Sequence, residues 1–256
     1  GEGNARPHRR LRHRPRPVVR AIITLTTDFG LRDPYVGIMK GVILGINPEA
    51  RLVDLTHEIA PQDILEGALA LEAAAPFFPP GTIHLAVVDP GVGSSRLPLA
   101  LAAGGQSFVG PDNGLFSFLF DEPGWSAVAL EAPEYRLPAV SRTFHGRDIF
   151  APAAAHLSLG VPIERLGRPV SDPVRLAWPE PRWEDDALVG EVIHDDRFGN
   201  LVTSLRGAAL AELGPSEGWI VEVAGRLVGA PVGSFSEGPA GEPASILGSS
   251  DRLEIF

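Results

Sequence analysis

The 256-residue sequence contains no cysteine, one methionine, one lysine (Lys40) and two tyrosines. Without cysteine there are no disulfides, thiolate nucleophiles, iron–sulfur clusters or Cys-type zinc sites, so any chemistry falls to Asp, Glu, His, Ser, Thr, Arg or Tyr. No stretch approaches the ~18 uninterrupted apolar residues of a membrane span, and no apolar segment follows a charged one at the N-terminus. Neither insertion nor secretion is expected, and the predicted location is the cytoplasm. The seven histidines (8, 13, 57, 84, 145, 156 and 194) show no H-E-x-x-H or comparable ligand spacing, so no metal is expected. A phosphate-cradling G-x-x-x-x-G-K-[ST] loop is missing, as is a G-x-G-x-x-G opening a helix after the first strand, which argues against an ordinary NTPase or NAD enzyme.

What is present is enough apolar material, 44% of residues, to build a core. The net charge of −10 is unevenly spread. Residues 1–20 hold seven arginines against Glu2 alone, so the remaining 236 residues carry −16. Arg-Pro alternation in that tail cannot pack, and disorder is expected there. The missing initiator Met points to processing or cloning. An acidic body without interleaved surface aromatics suits a small or cationic ligand and argues against nucleic acid.

From residue 21 the pattern alternates between strand and helix. Residues 21–26 are apolar and β-branched; Asp33-Pro34 then opens a helix with apolar positions at Val36, Met39, Ile43 and Ile46, closing near Asn47-Pro48. Residues 51–54 read as a strand, 61–75 as an amphipathic helix with early acids Asp63 and Glu66, and 82–88 as a buried strand. Further strands are expected at 98–109 and 126–131, with helices at 113–120 and 147–159. This βα repetition predicts a Rossmann-like, mostly parallel sheet domain over 21–167. Four prolines (169, 173, 179 and 181) mark 168–186 as a linker. Beyond it, 187–194, 200–204, 219–223 and 253–256 read as strands of a smaller all-β domain over 187–256.

In a doubly wound sheet, ligands collect at the carboxyl ends of the strands. Polar clusters lie at such places: Thr26-Thr27-Asp28-Phe29-Gly30, Asp89-Pro90-Gly91-Val92-Gly93-Ser94-Ser95-Arg96 and Phe144-His145-Gly146-Arg147-Asp148. A fourth, Asp195-Asp196-Arg197-Phe198-Gly199-Asn200, lies in the β domain.

Together with Val53-Asp54-Leu55-Thr56-His57-Glu58-Ile59 and Gly110-Pro111-Asp112-Asn113-Gly114-Leu115, these blocks resemble the S-adenosyl-L-methionine (SAM) hydroxide adenosyltransferases, the adenosine-forming SAM hydrolases related to fluorinase and chlorinase. The resemblance runs from Ile22 to Phe256. It implies a barrel-like second domain and a homotrimer whose sites lie between the N-terminal domain of one subunit and the C-terminal domain of the next. It implies SAM as substrate, with no separate cofactor. By it, Asp28 grips the ribose hydroxyls, and Asp89, Arg96 and His145 form the triad that activates water. Phe144, Gly146 and Ser249 fall among substrate contacts, Phe198 and Asn200 on the adenine-side motif, and either Asp195 or Asp196 near the methionine amine. Halogenating relatives lack this triad, and fluorinase has Ser where this chain has Gly146, so hydroxide is the expected nucleophile. The alternatives are a chlorinase-type halogenase on the same scaffold and a non-catalytic SAM or adenosine binding module. Family chains continue past the last strand with main-chain contacts to adenine, so by the resemblance that part is missing after Phe256.

Overall fold

The computed structural model describes residues 21–256 apart from residue 122; the Arg-rich segment at 1–20 lies outside the described residues. A six-stranded sheet in the order β2-β1-β3-β5-β4-β6 organises the N-terminal part. Its strands are β1 (Ile22–Thr27), β2 (Arg51–Thr56), β3 (Ile83–Val87), β4 (Pro98–Ala103), β5 (Gln106–Pro111) and β6 (Ser126–Ala129). The first four in that order run parallel, and β4 and β6 are antiparallel to their neighbours. Strand β3 is buried along its whole length and β1 along all but its first residue, as strands covered on both faces must be.

Helix α1 (Tyr35–Ile46) follows Pro34 and buries Val36, Met39 and Ile43 as the periodicity predicts. Helix α2 (Ile64–Ala74) is capped by Asp63, whose Oδ1 accepts the Glu66 N–H at 2.9 Å while Glu66 Oε2 accepts that of Ala60 at 2.8 Å. Helix α3 (Ala151–Ser158) packs beside α1 on one face of the sheet, and α2 covers the other, so each face has its own apolar core. The chain leaves β1 towards β2 on one side and later enters β3 on the other. The sheet therefore switches direction between β1 and β3, and the loops after those strands flank the crevice where α/β sheets bind ligands.

Several boundaries differ from the sequence expectation. The predicted strand at 98–109 is a hairpin, because Gly104 and Gly105 supply the positive φ angles (57° and 78°) of a two-residue turn. The predicted helix at 113–120 shrinks to a single tight turn at Ser117–Leu119. The helix predicted at 147–159 begins instead with a wide turn at Gly146–Phe150, and Pro152 lies in the first turn of α3, where its missing N–H costs nothing. The proline-rich segment is docked: Val174 N–H donates to Asp112 Oδ1 and Leu176 N–H to Ser117 Oγ, at 2.8 and 2.7 Å. Its last residues form β7 (Arg182–Glu184), paired with β8 (Ala187–Val189).

The C-terminal part holds β9 (Val192–Asp195), β10 (Leu201–Arg206), a one-turn helix α4 (Gly207–Leu210), β11 (Glu222–Val223), β12 (Arg226–Leu227), β13 (Ser245–Leu247) and β14 (Arg252–Ile255). Strands β13-β14-β10-β9 make an antiparallel sheet, and β11-β12 and β7-β8 are separate hairpins. The predicted strand at 187–194 breaks at Gly190, where a Cβ would lie 2.6 Å from Leu205 Cγ. Glu72 on α2 ties the two parts together by accepting from Arg206 and Arg252 at 2.5 and 3.0 Å. Among the described residues, no helix is long and apolar enough to cross a membrane.

Candidate active site

Asp28 and Asp89 lie just past the ends of neighbouring strands, since Thr27 on β1 pairs with Val87 on β3. After Asp89 the chain turns back through Gly91 and Gly93. At Gly93 φ is +76° and a Cβ would sit 2.2 Å from the Arg142 carbonyl oxygen, so only glycine lets this turn pack against the segment leading to His145. The turn returns Arg96 onto Asp89. Arg96 Nε donates to Asp89 Oδ1 at 2.8 Å, and Arg96 Nη2 makes a second, short contact with Asp89 Oδ2. Both side chains are more than 90% buried, so the pair is a bidentate ion pair taken out of water.

The same Arg96 Nη2 lies 2.9 Å from His145 Nδ1. Arginine has no acceptor, so Nδ1 accepts and the proton of the neutral ring sits on Nε2. Burial first, and the Arg96 charge second, hold the His145 pKa below its ordinary 6.5. The guanidinium also lies over the Phe150 ring at 5.3 Å, and its buried Nη1 has no hydrogen-bond partner among the described residues. Asp89, Arg96 and His145, with Arg96 and His145 49 positions apart in the chain, thus form one contiguous group.

Beside them, Asp28 is half-buried and its Oδ2 accepts the Gln62 N–H at 2.8 Å. One oxygen of that carboxylate is held by main chain, and the other accepts no hydrogen bond among the described residues. Phe144 packs edge-on against Phe29 and Tyr35, with centroids 6.0 and 5.3 Å apart, and Arg147 covers its ring. A cleft of about 480 Å³ opens among Phe29, Tyr35, Ser141, Thr143, Phe144 and Arg147, within the range of small-molecule sites. Gly146 is buried against this wall: a Cβ there would lie 3.1 Å from Met39 Sδ and 3.2 Å from the Phe144 ring. Tyr35 and the Gln62 main chain were not singled out by sequence, since neither belongs to a polar cluster; Tyr35 looks like an ordinary first-turn helix residue.

The remaining predicted residues lie apart in the C-terminal part. Asp196 closes the β9–β10 turn, accepting from Phe198 N, Asn200 N and Asn200 Nδ2 at 2.8, 2.9 and 2.8 Å. Burial, the largest single cause, raises its pKa, but these donors together outweigh it and hold the pKa below the usual carboxylate value. Asp195 is exposed at the end of β9, and Phe198 is 90% exposed at the turn. Ser249 is exposed on a different cavity, of about 550 Å³, between α2 and the C-terminal sheet. Among the described residues, no hydrogen bond or ring contact joins Asp195, Asp196, Phe198, Asn200 or Ser249 to Asp28, Phe144 or the triad.

Comparison with known proteins shows the family. Residues 23–167 match the SAM hydroxide adenosyltransferase N-terminal domain and residues 190–256 its C-terminal domain. The chain is 46% identical over 239 residues to an (R)-S-adenosyl-L-methionine hydrolase of Thermus thermophilus, covering 90% of this chain and 89% of the relative. A fluorinase of Nocardia brasiliensis is 30% identical, with 78% and 76% covered. A solved structure from Thermotoga maritima superposes with a TM-score of 0.85 at 37% identity, covering 91% of each chain. The chain belongs to the SAM hydroxide adenosyltransferase family.

Proposed function

We propose that this chain hydrolyses S-adenosyl-L-methionine to adenosine and L-methionine by attack of a triad-held water at C5′. The observation that carries the reading is the buried Asp89–Arg96–His145 group beside Asp28 at the switch point of the sheet. Its relatives named as (R)-S-adenosyl-L-methionine hydrolases support it. The sulfonium leaves as a neutral thioether, so the leaving group needs neither a general acid nor a separate cofactor. The demand is on the nucleophile, because bulk water has a pKa of about 15.7.

The triad meets that demand by orientation and charge. His145, with its proton on Nε2, donates towards the water oxygen. Asp89 has carboxylate lone pairs beyond those taken by Arg96 and accepts the water's hydrogen bond. The Arg96 charge and its free Nη1 favour the hydroxide that develops as C5′–O forms and C5′–S breaks; the water's proton leaves through Asp89 to solvent. A chloride gains nothing from an acceptor carboxylate, which is why hydroxide and not halide fits this group. In our assignment Asp28 binds the ribose diol, Phe144 and Gly146 shape the wall, and Asp195 or Asp196, Phe198, Asn200 and Ser249 complete the site from a second subunit of a homotrimer. The 90% exposure of Phe198 supports that sharing.

The test is product analysis in chloride-free buffer with each sulfonium epimer, since the relatives' names specify the (R) form. Adenosine and methionine are expected from wild type. Asp89→Asn is expected to lower turnover by at least about 100-fold with SAM affinity kept within a few-fold. Equal turnover in the two proteins would remove the mechanism.

A further inference from the structure

The segment Val53-Asp54-Leu55-Thr56-His57-Glu58-Ile59 has no part in the site as described, yet it abuts the loop that carries Asp28. The β1–β2 pairing slips there: Leu25 faces Asp54 but Thr26 faces Thr56, so Leu55 is an extra residue and β2 bends at its end. The bend brings His57, 3% exposed, under the β1 loop. Its Nδ1 lies 2.8 Å from Thr27 Oγ1, and its carbonyl oxygen accepts the Gly30 N–H at 2.7 Å. One residue thus grips the chain on both sides of Asp28 and Phe29. Thr27 Oγ1 also accepts the Phe29 N–H at 3.2 Å, so the hydroxyl is held from two directions.

Behind the ring, His57 Nε2 lies 3.0 Å from Asp54 Oδ1, close though not aligned as a hydrogen bond, and Asp54 Oδ2 accepts from Lys40 Nζ at 2.6 Å. In the neutral ring, the carboxylate beside Nε2 favours the proton there and leaves Nδ1 to accept from Thr27. Lys40, the only lysine, anchors the row to α1.

We propose that His57 is a positioning residue of the ribose subsite: holding Thr27 by its ring and Gly30 by its carbonyl, it fixes the direction of the Asp28 carboxylate and thereby sets the preference for a vicinal diol. This rests on reading Asp28 as the ribose ligand. A carboxylate free to rotate pays for its own ordering when it binds, whereas one already aimed does not.

The experiment compares the Kd of adenosine with that of 2′,3′-dideoxyadenosine by calorimetry on the full chain, so it needs no turnover. Wild type is expected to favour adenosine by about 10- to 100-fold, the effect of hydrogen bonds to a charged group. Asp28→Ala should bring that ratio to about one. A wild type without the preference, or an Asp28→Ala protein that keeps it, sinks the ribose reading and this proposal with it. Given both controls, His57→Leu and Thr27→Val are expected to cut the ratio at least about fivefold with the dideoxyadenosine Kd changed less than about twofold. His57→Asn, whose amide oxygen can accept in place of Nδ1, should restore most of it. A wild-type ratio in His57→Leu and Thr27→Val overturns the proposal, as does an equal loss of both ligands, which marks a purely structural role. If His57→Leu does not fold, Thr27→Val, which loses one hydroxyl, decides alone.

Discussion

Arg96 can only donate, so its contact with His145 Nδ1 decides which ring nitrogen carries the proton. That makes His145 an orienting donor at Nε2 and leaves Asp89 as the acceptor in the triad. A pH profile tests the assignment. Burial and the Arg96 charge lower the His145 pKa, so the ring stays neutral through pH 6.5 and protonates only below it. Protonation removes the Nδ1 lone pair and sets a second cation beside Arg96. The acid limb of kcat/KM, which reports the free enzyme, is therefore expected below pH 6.5, moved towards lower pH relative to an ordinary histidine; a limb centred above 6.5 would show His145 working as a cation-stabilised group. Sequence made these three residues visible, because each lies in a short polar block after a strand or before a helix. It could not supply the tautomer, which depends on a contact between residues 49 positions apart.

The elements most legible in sequence are those whose apolar pattern is enforced by burial. Strands β1 and β3 and helices α1 and α2 appear within a few residues of their predicted limits because both sheet faces are covered. What was missed is turn chemistry and docking: the Gly104-Gly105 hairpin, the wide turn at Gly146–Phe150, and a proline-rich stretch that spends its N–H groups on Asp112 and Ser117. Two predictions belong at this scale. Gly93→Ala is expected to cost more than about 2 kcal/mol in chemical denaturation, because positive φ and the Arg142 carbonyl both oppose a Cβ. Near-wild-type stability would mean the turn is not held against Arg142. The second concerns His84 on β3, fully buried, hydrogen-bonded to Thr24 and stacked on Phe108 at 4.8 Å. Burial lowers its pKa to about 4 from 6.5, so the unfolded chain takes up this proton first as the pH falls. Stability should drop between pH 6.5 and 4 by roughly 3 kcal/mol on this account, and His84→Gln should show a shallower slope in the same window. An unchanged slope would place the titration elsewhere.

At the scale of the whole molecule, the predicted site residues fall into two groups that one chain leaves apart, the Asp28, Phe144 and triad group on the sheet and the Asp195 to Asn200 turn with Ser249 beyond it. The fold class is thus readable from one sequence, while the proposed sharing of the site between copies is not readable from periodicity, because contact between chains leaves none within one. Complementation tests the sharing. Two inactive proteins, Asp89→Asn and a double variant Phe198→Ala, Asn200→Ala, are mixed after dissociation and reassembled; sites with one intact half from each are expected to restore about a quarter of wild-type activity. No recovery from a reassembled mixture would place the whole site in one chain. The central claim is that water enters at C5′ under the control of the triad. Its most direct test is reaction with SAM in ¹⁸O-water, with mass analysis of the adenosine. The account predicts adenosine carrying ¹⁸O at its 5′ oxygen from wild type and at least about 100-fold less from Asp89→Asn. SAM recovered intact, or adenosine without the label, would contradict it.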